Sequence, residues 1–355
     1  MARLADRLAA RTLELVDIPS ESLHEAEIRE HVRSLVPDWL EPEVVCDEAA
    51  LYTCRRRERT PLVVLAGHYD TVPAQGNLPG RIDGGSVHGL GASDMKGGLA
   101  VVLELLRDLG GAPRGPVDAA LLLFGREELP QAFNPLPELF DRSALVHEAE
   151  LVILLEPTAG AVHAGCLGNL NAQLRFHGVS GHSARPWLAE NAIERAIEGL
   201  APLVRHERRE AIVDGLPFYE VLSVTRLEAG IADNVIPDLA AAHLNFRFAP
   251  DRTEEQAVAH LRDLVPADAE LEILGTAPAG RVASGSPLVA ALVESGAHGI
   301  EPKQAWTNVA DFSVRGIDAV NFGPGDPAYA HRRDERVELA ALAHAYETLR
   351  RLIVG

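Results

Sequence analysis

Cysteine is scarce in this chain of 355 residues, and its scarcity bears on the compartment in which the protein works. The three cysteines, Cys46, Cys54 and Cys166, are odd in number, far apart and form no CxxC pair. Such usage excludes a disulfide framework and favours a reducing cytoplasm. No stretch approaches the roughly 18 apolar residues of a membrane span. Residues 1–20 alternate charged and apolar side chains at helical spacing, unlike a signal peptide. We therefore expect a soluble cytoplasmic protein.

Basic residues are also in deficit. The chain has 33 lysines and arginines against 52 aspartates and glutamates, for a net charge of −19. Nucleic acids and anionic membranes are bound through basic faces, so neither is an expected partner. The excess of negative charge has two interpretations that the sequence leaves open. It either keeps the protein soluble or creates an electric field that concentrates cations near a site.

Strand-like runs alternate with helical segments in the first part of the chain. The runs at 62–66, 119–124 and 151–155 are short and continuously apolar, as strands buried on both faces are. Between the first two, residues 96–111 have an apolar period near 3.6 and end in Gly-Gly, which predicts a helix. This order predicts an α/β domain with a mostly parallel sheet.

The pattern changes after residue 166. Residues 170–177 alternate apolar and polar side chains strictly, which predicts a strand with one exposed face. The elements that follow are a helix with Ile193, Ile197, Leu200 and Val204 on one stripe, strands at 221–230 and 241–248, a helix opened by the capping box Thr253–Gln256, and a strand at 270–274. The order β-α-β-β-α-β predicts a ferredoxin-like α+β domain inserted at 167–276. Residues 1–166 and 277–355 would form the first domain, which ends in a helix at 337–352.

Polar side chains follow the predicted parallel strands, where open α/β sheets place their ligand sites. A further histidine lies far downstream, and the set is His68, Asp70, Asp94, Glu127, Glu128, Glu156 and His331. Histidines and carboxylates without a thiolate suit zinc, cobalt or manganese. The candidates outnumber the roughly three ligands of a single open metal site, which predicts two metals sharing one carboxylate. Asp70, close to His68, would fix the imidazole tautomer.

Several short segments together resemble the dinuclear zinc amidohydrolases of the M20 metallopeptidase family. They run in order through nearly the whole chain: HYDTVP, GLGASDMKGG, the Glu-Glu pair, LEPT, GHSARP, NVIP, NFRF and AHRRDE. The resemblance implies that His68, Asp94 and Glu156 hold one metal, and that Glu128, His331 and the bridging Asp94 hold the other. It further implies that Glu127 is the general base, that Asp70 is the partner of His68, and that the Asp94–Met95 bond is cis.

The resemblance extends to the inserted domain. It implies that His182 reaches the active site of a partner subunit and stabilises the developing oxyanion, and that the inserted domain makes a homodimer contact. Asn234 and Arg247 resemble residues that hold the substrate. The further candidates for substrate binding are Arg185, Thr307 and Asp311.

The implied activity is hydrolysis of an amide bond in an N-acyl amino acid, in which Glu127 takes a proton from water and returns it to the leaving amine. Residues 211–220, 232–238 and 244–253 look closest to the succinyl-diaminopimelate desuccinylases of actinobacterial type. The main expectation is therefore desuccinylation of N-succinyl-LL-2,6-diaminopimelate in lysine and diaminopimelate biosynthesis. The alternatives are an N-acetylornithine deacetylase-like enzyme, another N-acyl amino acid hydrolase, a dipeptidase or carboxypeptidase, and a non-catalytic metal-dependent binding protein.

One position departs from those desuccinylases, which have an arginine where Asp311 stands and use it to grip a substrate carboxylate. An aspartate would repel that carboxylate, at a cost on the order of 4 kcal/mol for about 4 Å and an effective dielectric near 20. N-succinyl-diaminopimelate would then be a poor substrate. The alternative is that Asp311 pairs with a local cation such as Arg185 or Arg315 and faces away from the substrate.

Overall fold

The computed structural model describes residues 2–112 and 114–355, whose backbone forms two compact units. The first runs up to Ala164 and includes 283–301 and 311–355, and the second comprises 165–282 and 302–310. Sequence analysis assigned residues 302–310 to the first domain. They belong to the second unit, where the Leu167 amide donates to the Ala305 carbonyl at 3.2 Å.

The bounds of the regular elements are as follows. The helices are α1 Ala2–Val16, α2 Ala26–Ser34, α3 Gly97–Leu109, α4 Leu136–Arg142, α5 Ala192–Val204, α6 Glu254–Leu264, α7 Pro287–Glu294, α8 Val309–Ser313 and α9 Leu339–Val354. The strands are β1 Glu41–Val45, β2 Ala49–Thr53, β3 Leu62–His68, β4 Arg81–Asp83, β5 Ser86–His88, β6 Asp118–Phe124, β7 Leu151–Leu154, β8 Val162–Ala164, β9 Gly168–His177, β10 Gly181–His182, β11 Arg209–Val213, β12 Leu216–Ala229, β13 Val235–Ile236, β14 Leu239–Phe248, β15 Glu270–Ala277, β16 Ile300–Pro302, β17 Ala319–Asn321 and β18 Arg336–Glu338.

The first unit is built on an eight-stranded sheet with the order β1-β2-β6-β3-β7-β17-β8-β16. Strand β3 is parallel to β6 and β7, and β7 is parallel to β17. The pairs β1–β2, β2–β6 and β17–β8 are antiparallel. Strands β3, β6 and β7 are buried along their whole length, which explains their continuous apolar sequences. The predicted α/β fold is confirmed, since the four central strands β6, β3, β7 and β17 are parallel, with antiparallel pairs towards the flanks.

Helix α3 lies directly against the end of β7. Its residues from Gly97 to Leu106 are all buried. A Cβ atom on Gly98 would lie 2.4 Å from the Leu155 carbonyl oxygen, so only glycine permits this approach of helix to strand. Gly110 ends the helix with φ 63°, in the left-handed region. The predicted helix with its Gly-Gly stop is confirmed.

The second unit contains a five-stranded antiparallel sheet with the order β11-β12-β14-β9-β15. Strands β9 and β14 alternate buried and partly exposed residues, and their buried side chains pack with those of α5 and α6. The order β12-β14-β9-β15 is that of a ferredoxin-like unit, as the strand pattern predicts. Strand β11 was not predicted, and it extends this sheet by a hairpin with β12.

The two helices of the second unit differ in how well sequence predicted them. Thr253 caps α6, and the predicted reciprocal bonds with Gln256 are present. The predicted stripe on α5 is wrong, because Ile197 and Val204 are 61% and 68% exposed. The face that packs on the sheet is made of Ala192, Ala196, Leu200 and Leu203. Leu200 is common to both stripes, but the face that packs is rotated so that Ala192 and Ala196 approach the sheet and Ile193 and Ile197 are exposed.

The three cysteines are buried, and no disulfide joins any two of them. Within the described residues, no helix combines the length and the apolar character that crossing a bilayer requires.

Candidate metal centre

The candidate site of the first unit is built on loops that follow its four adjacent parallel strands. His68 is the last residue of β3, the Glu127–Glu128 pair follows β6, Glu156 follows β7, and the loop after β17 leads to His331. Arg126 and His331 both adopt φ 61°. A non-glycine residue in this region is uncommon and costs free energy. The strand ends therefore bring together groups that are up to 263 residues apart, from His68 to His331.

The first part of the cluster surrounds His68. Its Nε2 atom lies 3.3 Å from Oδ1 of Asp94 and 3.7 Å from Oε1 of Glu156. His68 and Glu156 are buried, and Asp94 emerges from the turn Ala92–Lys96 that precedes α3. The Asp94–Met95 bond is cis, as the family resemblance implies.

The second part of the cluster uses the other oxygen of Asp94. Oδ2 of Asp94 lies 3.5 Å from Nε2 of His331, which in turn lies 3.0 Å from Oε1 of Glu128. Ligand atoms of His68, Asp94 and Glu128 all lie within 4.8 Å of one another. Asp94 thus presents one oxygen to each histidine, which is the arrangement of a carboxylate that bridges two ions.

These residues fit two divalent ions. Two ligands bound tetrahedrally to one zinc ion at about 2.1 Å lie about 3.4 Å apart. The four nitrogen–oxygen distances in the cluster range from 3.0 to 3.7 Å. Imidazole and carboxylate donors without a thiolate also suit zinc, cobalt or manganese.

The electrostatics of the cluster favour bound cations. Burial raises the pKa of the Glu127 carboxyl well above its ordinary value, and the nearby Glu156 raises it further. Burial likewise raises the pKa of Glu128, although its hydrogen bond with His331 opposes the rise. Hydrogen bonds with Asp94 and Glu128 raise the pKa of His331 to about 11. Crowded carboxylates hold protons in this way unless a cation takes their place.

Asp70 connects His68 to the Glu127–Glu128 loop. The His68 Nδ1 atom lies 3.1 Å from the Asp70 main-chain carbonyl oxygen and 3.4 Å from its carboxylate. The same carboxylate accepts the amide N–H groups of Glu127 and Glu128 at 3.1 and 3.2 Å. Burial would raise the pKa of Asp70, but its bond with His68 and the other hydrogen bonds hold that pKa below its ordinary value. Asp70 therefore remains a carboxylate that orients both neighbours.

Asp311, the position at which the sequence is expected to differ from the desuccinylases, contacts the segment that follows the Glu127–Glu128 pair. Gln131 donates to its Oδ1 at 3.0 Å, and Asn134 donates to its Oδ2 at 2.9 Å. Arg315, one of the two cations that the sequence suggested, donates to the main-chain carbonyl of Asp311 at 2.7 Å. The Asp311 side chain is thus engaged by two amides from the segment that follows Glu128.

Three candidates of the second unit lie on or beside a short antiparallel pair of strands, β10 and β13. His182 is exposed, and its Nδ1 accepts the Ala184 amide at 3.0 Å. The Asn234 carbonyl accepts the Ser183 amide at 3.0 Å, so Asn234 and His182 belong to one local structure. Arg185 is exposed in the turn after β10. These groups therefore form an accessible polar edge of the second unit.

The other two candidates of the second unit lie deeper. Arg247, on β14, is partly buried, and its Nε donates to Oδ1 of Asn245 at 2.9 Å. Burial lowers the pKa of Arg247 from its ordinary value. Thr307 is buried, and its carbonyl accepts the Cys166 thiol at 3.6 Å. Neither contact assigns a role in substrate binding.

Sequence reasoning missed two residues that support the cluster. Ser22 donates to Oδ2 of Asp70 at 2.7 Å, and no motif marks it. Glu335 is buried and accepts amide N–H groups of the turn that carries Asp94. The signal for Glu335 is its position four residues after His331, within the segment AHRRDE that sequence analysis singled out.

Comparison with known proteins agrees with this geometry. Residues 64–354 match the model of the peptidase family M20/M25/M40. The chain therefore belongs to the M20/M25/M40 peptidase family, which confirms the predicted family and the predicted class of enzyme, a metal-dependent hydrolase. A Corynebacterium glutamicum succinyl-diaminopimelate desuccinylase is 37% identical over 332 residues, covering 92% of this chain and 90% of its own. A Mycobacterium tuberculosis protein provisionally given the same name is 39% identical over 346 residues, 97% of each chain.

Solved structures with the same fold extend the comparison. An aminopeptidase PepT from Bacillus cereus has a TM-score of 0.78 at 19% identity over 98% of both chains. A dinuclear metal-binding M20 peptidase from Bacillus subtilis has a TM-score of 0.70 at 17% identity, covering 99% of this chain and 98% of its own. At these identities the likeness establishes the fold.

Proposed function

We propose that this protein hydrolyses the succinyl amide of N-succinyl-LL-2,6-diaminopimelate at a centre of two zinc ions. The single observation that carries the chemistry is Asp94, whose two oxygens face His68 and His331 separately. The names of the relatives at 37% and 39% identity support the substrate. In this proposal His68, Asp94 and Glu156 hold one ion, and Asp94, Glu128 and His331 hold the other.

When bound, the two ions would polarise the scissile carbonyl and lower the pKa of the attacking water. Glu127 acts as the general base that accepts the water proton and then delivers it to the departing amine. Asp70 holds the amide of Glu127, so the base is fixed through its own main chain.

The inserted unit is proposed to complete the site from a partner subunit. His182 would donate a hydrogen bond to the oxyanion that develops in the tetrahedral transition state. Its exposure is consistent with a role towards another chain. The exposed apolar side chains of α5, Ile197 and Val204, support a homodimer contact on this helix, because a contact of two such faces would bury them. Asn234, Arg247, Arg185 and Thr307 would hold the substrate.

The test measures turnover and metal content together. Purified protein loaded with zinc should release succinate from N-succinyl-LL-2,6-diaminopimelate and should contain close to two zinc equivalents per chain. Asp94→Ala should lose both equivalents, whereas His331→Ala should lose mainly one. N-acetylornithine and a panel of dipeptides serve as competing substrates.

The outcomes separate the parts of the proposal. Faster turnover of a competing substrate would replace the desuccinylase assignment while leaving the metal centre in place. Full metal retention by Asp94→Ala would contradict the bridging role.

A further inference from the structure

A buried carboxylate outside the proposed ligand set holds the turn that presents Asp94. Glu335 is only 2% exposed. Its Oε1 accepts the amide N–H groups of Ser93 and Asp94, each at 3.0 Å, and its Oε2 accepts that of Gly91 at 3.0 Å. The Glu335 carbonyl also accepts the Gly89 amide at 3.0 Å. One residue therefore binds the backbone of the turn at four points.

The turn is shaped to receive an anion. Gly91 adopts φ 79°, in the left-handed region, which directs successive amide groups to one side of the chain. Such a concave set of N–H groups binds anions, and here the anion is the Glu335 carboxylate. A Cβ atom on Gly91 would lie 2.9 Å from the side chain of Thr71, so the turn also requires glycine for space.

The contacts of Glu335 distinguish it from a metal ligand. Both of its oxygens are directed at backbone N–H groups, whereas those of Asp94 are directed at histidine nitrogens. The neighbouring Lys96 donates from Nζ to the Ile18 carbonyl at 2.8 Å rather than forming a hydrogen bond with Glu335. Glu335 thus acts on the cluster through the main chain of Asp94.

We propose that Glu335 is a positioning residue that fixes Asp94 as the bridge and couples it to His331. Asp94 and His331 are coupled because Glu335 accepts a hydrogen bond from the Asp94 amide and lies only four residues after His331 in the chain. Movement of either ligand segment is therefore transmitted to the other. The inference rests on the proposed two-metal centre.

Glu335→Gln tests the proposal with little change of shape. The glutamine carbonyl can accept the bonds made by Oε1, but its NH₂ group then faces the Gly91 N–H, donor against donor. We expect both zinc equivalents to bind about 10 to 100-fold more weakly, which is the usual effect of losing a partner of a metal ligand. The measurement is zinc titration of the metal-free protein against a competing chelator, on samples shown to be folded by circular dichroism.

Asp334→Asn is the matched control, because its carboxylate is exposed and pairs with Arg332. It should bind zinc like the wild type. A merely structural role for Glu335 would lower the melting temperature of the metal-free protein and leave the zinc affinity of the folded fraction unchanged.

Zinc affinities of Glu335→Gln within twofold of the wild type would overturn the inference. If that variant fails to fold, Glu335→Asp takes its place, since the shorter side chain cannot reach all three N–H groups and the same loss of affinity is expected. A wild type that binds one equivalent refutes the two-metal proposal separately, and the comparison of variants then applies to that equivalent.

Discussion

At the residue scale, the proposed function gives the adjacent residues Glu127 and Glu128 different tasks. Asp70 accepts the main-chain amides of both residues, so their side chains are free to diverge. The Glu128 side chain is 3.0 Å from the His331 imidazole, as a ligand of the same ion would be. In the proposal, Glu127 is the residue that transfers the proton. The proposed division of labour predicts that the two glutamates respond differently to the same substitution.

Glu127→Gln should lower kcat by about 10² to 10⁴, the usual effect of removing a positioned proton carrier. Zinc content should stay near two equivalents, because the side chain is not a proposed ligand. Glu128→Gln is the matched control and should weaken zinc binding. Steady-state kinetics and elemental analysis of both variants check this. An active Glu127→Gln protein would place the general base elsewhere.

Substitution of Asp311 tests which of the two interpretations given in the sequence analysis describes this position. Its carboxylate accepts amide bonds from Gln131 and Asn134, which favours a local role in holding the loop after Glu128. Asp311→Arg should then lower kcat/KM for N-succinyl-LL-2,6-diaminopimelate about tenfold or more, since hydrogen bonds to a charged group contribute about 1.5 to 3 kcal/mol.

Asp311→Asn keeps one acceptor oxygen, so its kcat/KM should fall less than that of Asp311→Arg. A gain in kcat/KM with the arginine would instead support repulsion between Asp311 and a substrate carboxylate.

At the scale of secondary-structure elements, the carboxylate of Glu220 links β12 to two arginines of neighbouring segments in the second unit. Glu220 is 3% exposed, and it accepts hydrogen bonds from Arg209 at 2.5 Å and Arg252 at 2.8 Å. Burial would raise the pKa of Glu220, but these two bonds hold it below the ordinary value of 4.5. The stabilisation is therefore complete above the unfolded-state pKa and is lost as pH falls through the folded-state value.

Acid unfolding measures that contribution. The free energy of unfolding of the wild type should decline as pH is lowered from about 5 towards 3. Glu220→Gln should be less stable at pH 7 and should decline less over the same interval, because it has no carboxylate to protonate. Urea unfolding at several pH values gives the comparison. Glu228→Gln, an exposed position on the same strand, should follow the wild type, and equal slopes for all three proteins would exclude Glu220 as a source of the decline.

At the scale of the whole molecule, the proposed partner contribution of His182 predicts complementation. His182→Ala and Glu127→Gln should each be nearly inactive alone. When the two are refolded together, about half of the dimers are mixed, and one of the two sites in each has both intact groups, so about a quarter of wild-type activity should return. Assay of the mixture, with analytical ultracentrifugation of the wild type, checks this. An active monomer would rule out the contribution from a second chain.

The sequence by itself determined the fold class, the family and the residue types of the metal cluster. Strands such as β3 and β7 can be predicted from the sequence because burial on both faces requires apolar side chains at nearly every position. Groups placed just after such strands, such as His68 and Glu156, must meet at one edge of the sheet, so their proximity follows from local pattern alone.

Only the tertiary structure decided how those groups are oriented and supported. Which oxygen of Asp94 faces which histidine depends on side-chain rotation, and no local pattern encodes it. The contacts of Glu335 with the Asp94 turn, and of Asp311 with Gln131, join segments 180 or more residues apart. The face of α5 that packs was mispredicted because two overlapping stripes, one with Ile193 and Ile197 and one with Ala192 and Ala196, both recur at helical spacing, and packing against the sheet decides between them. Such choices are made by packing and by hydrogen-bond satisfaction across the fold, which the local sequence does not contain.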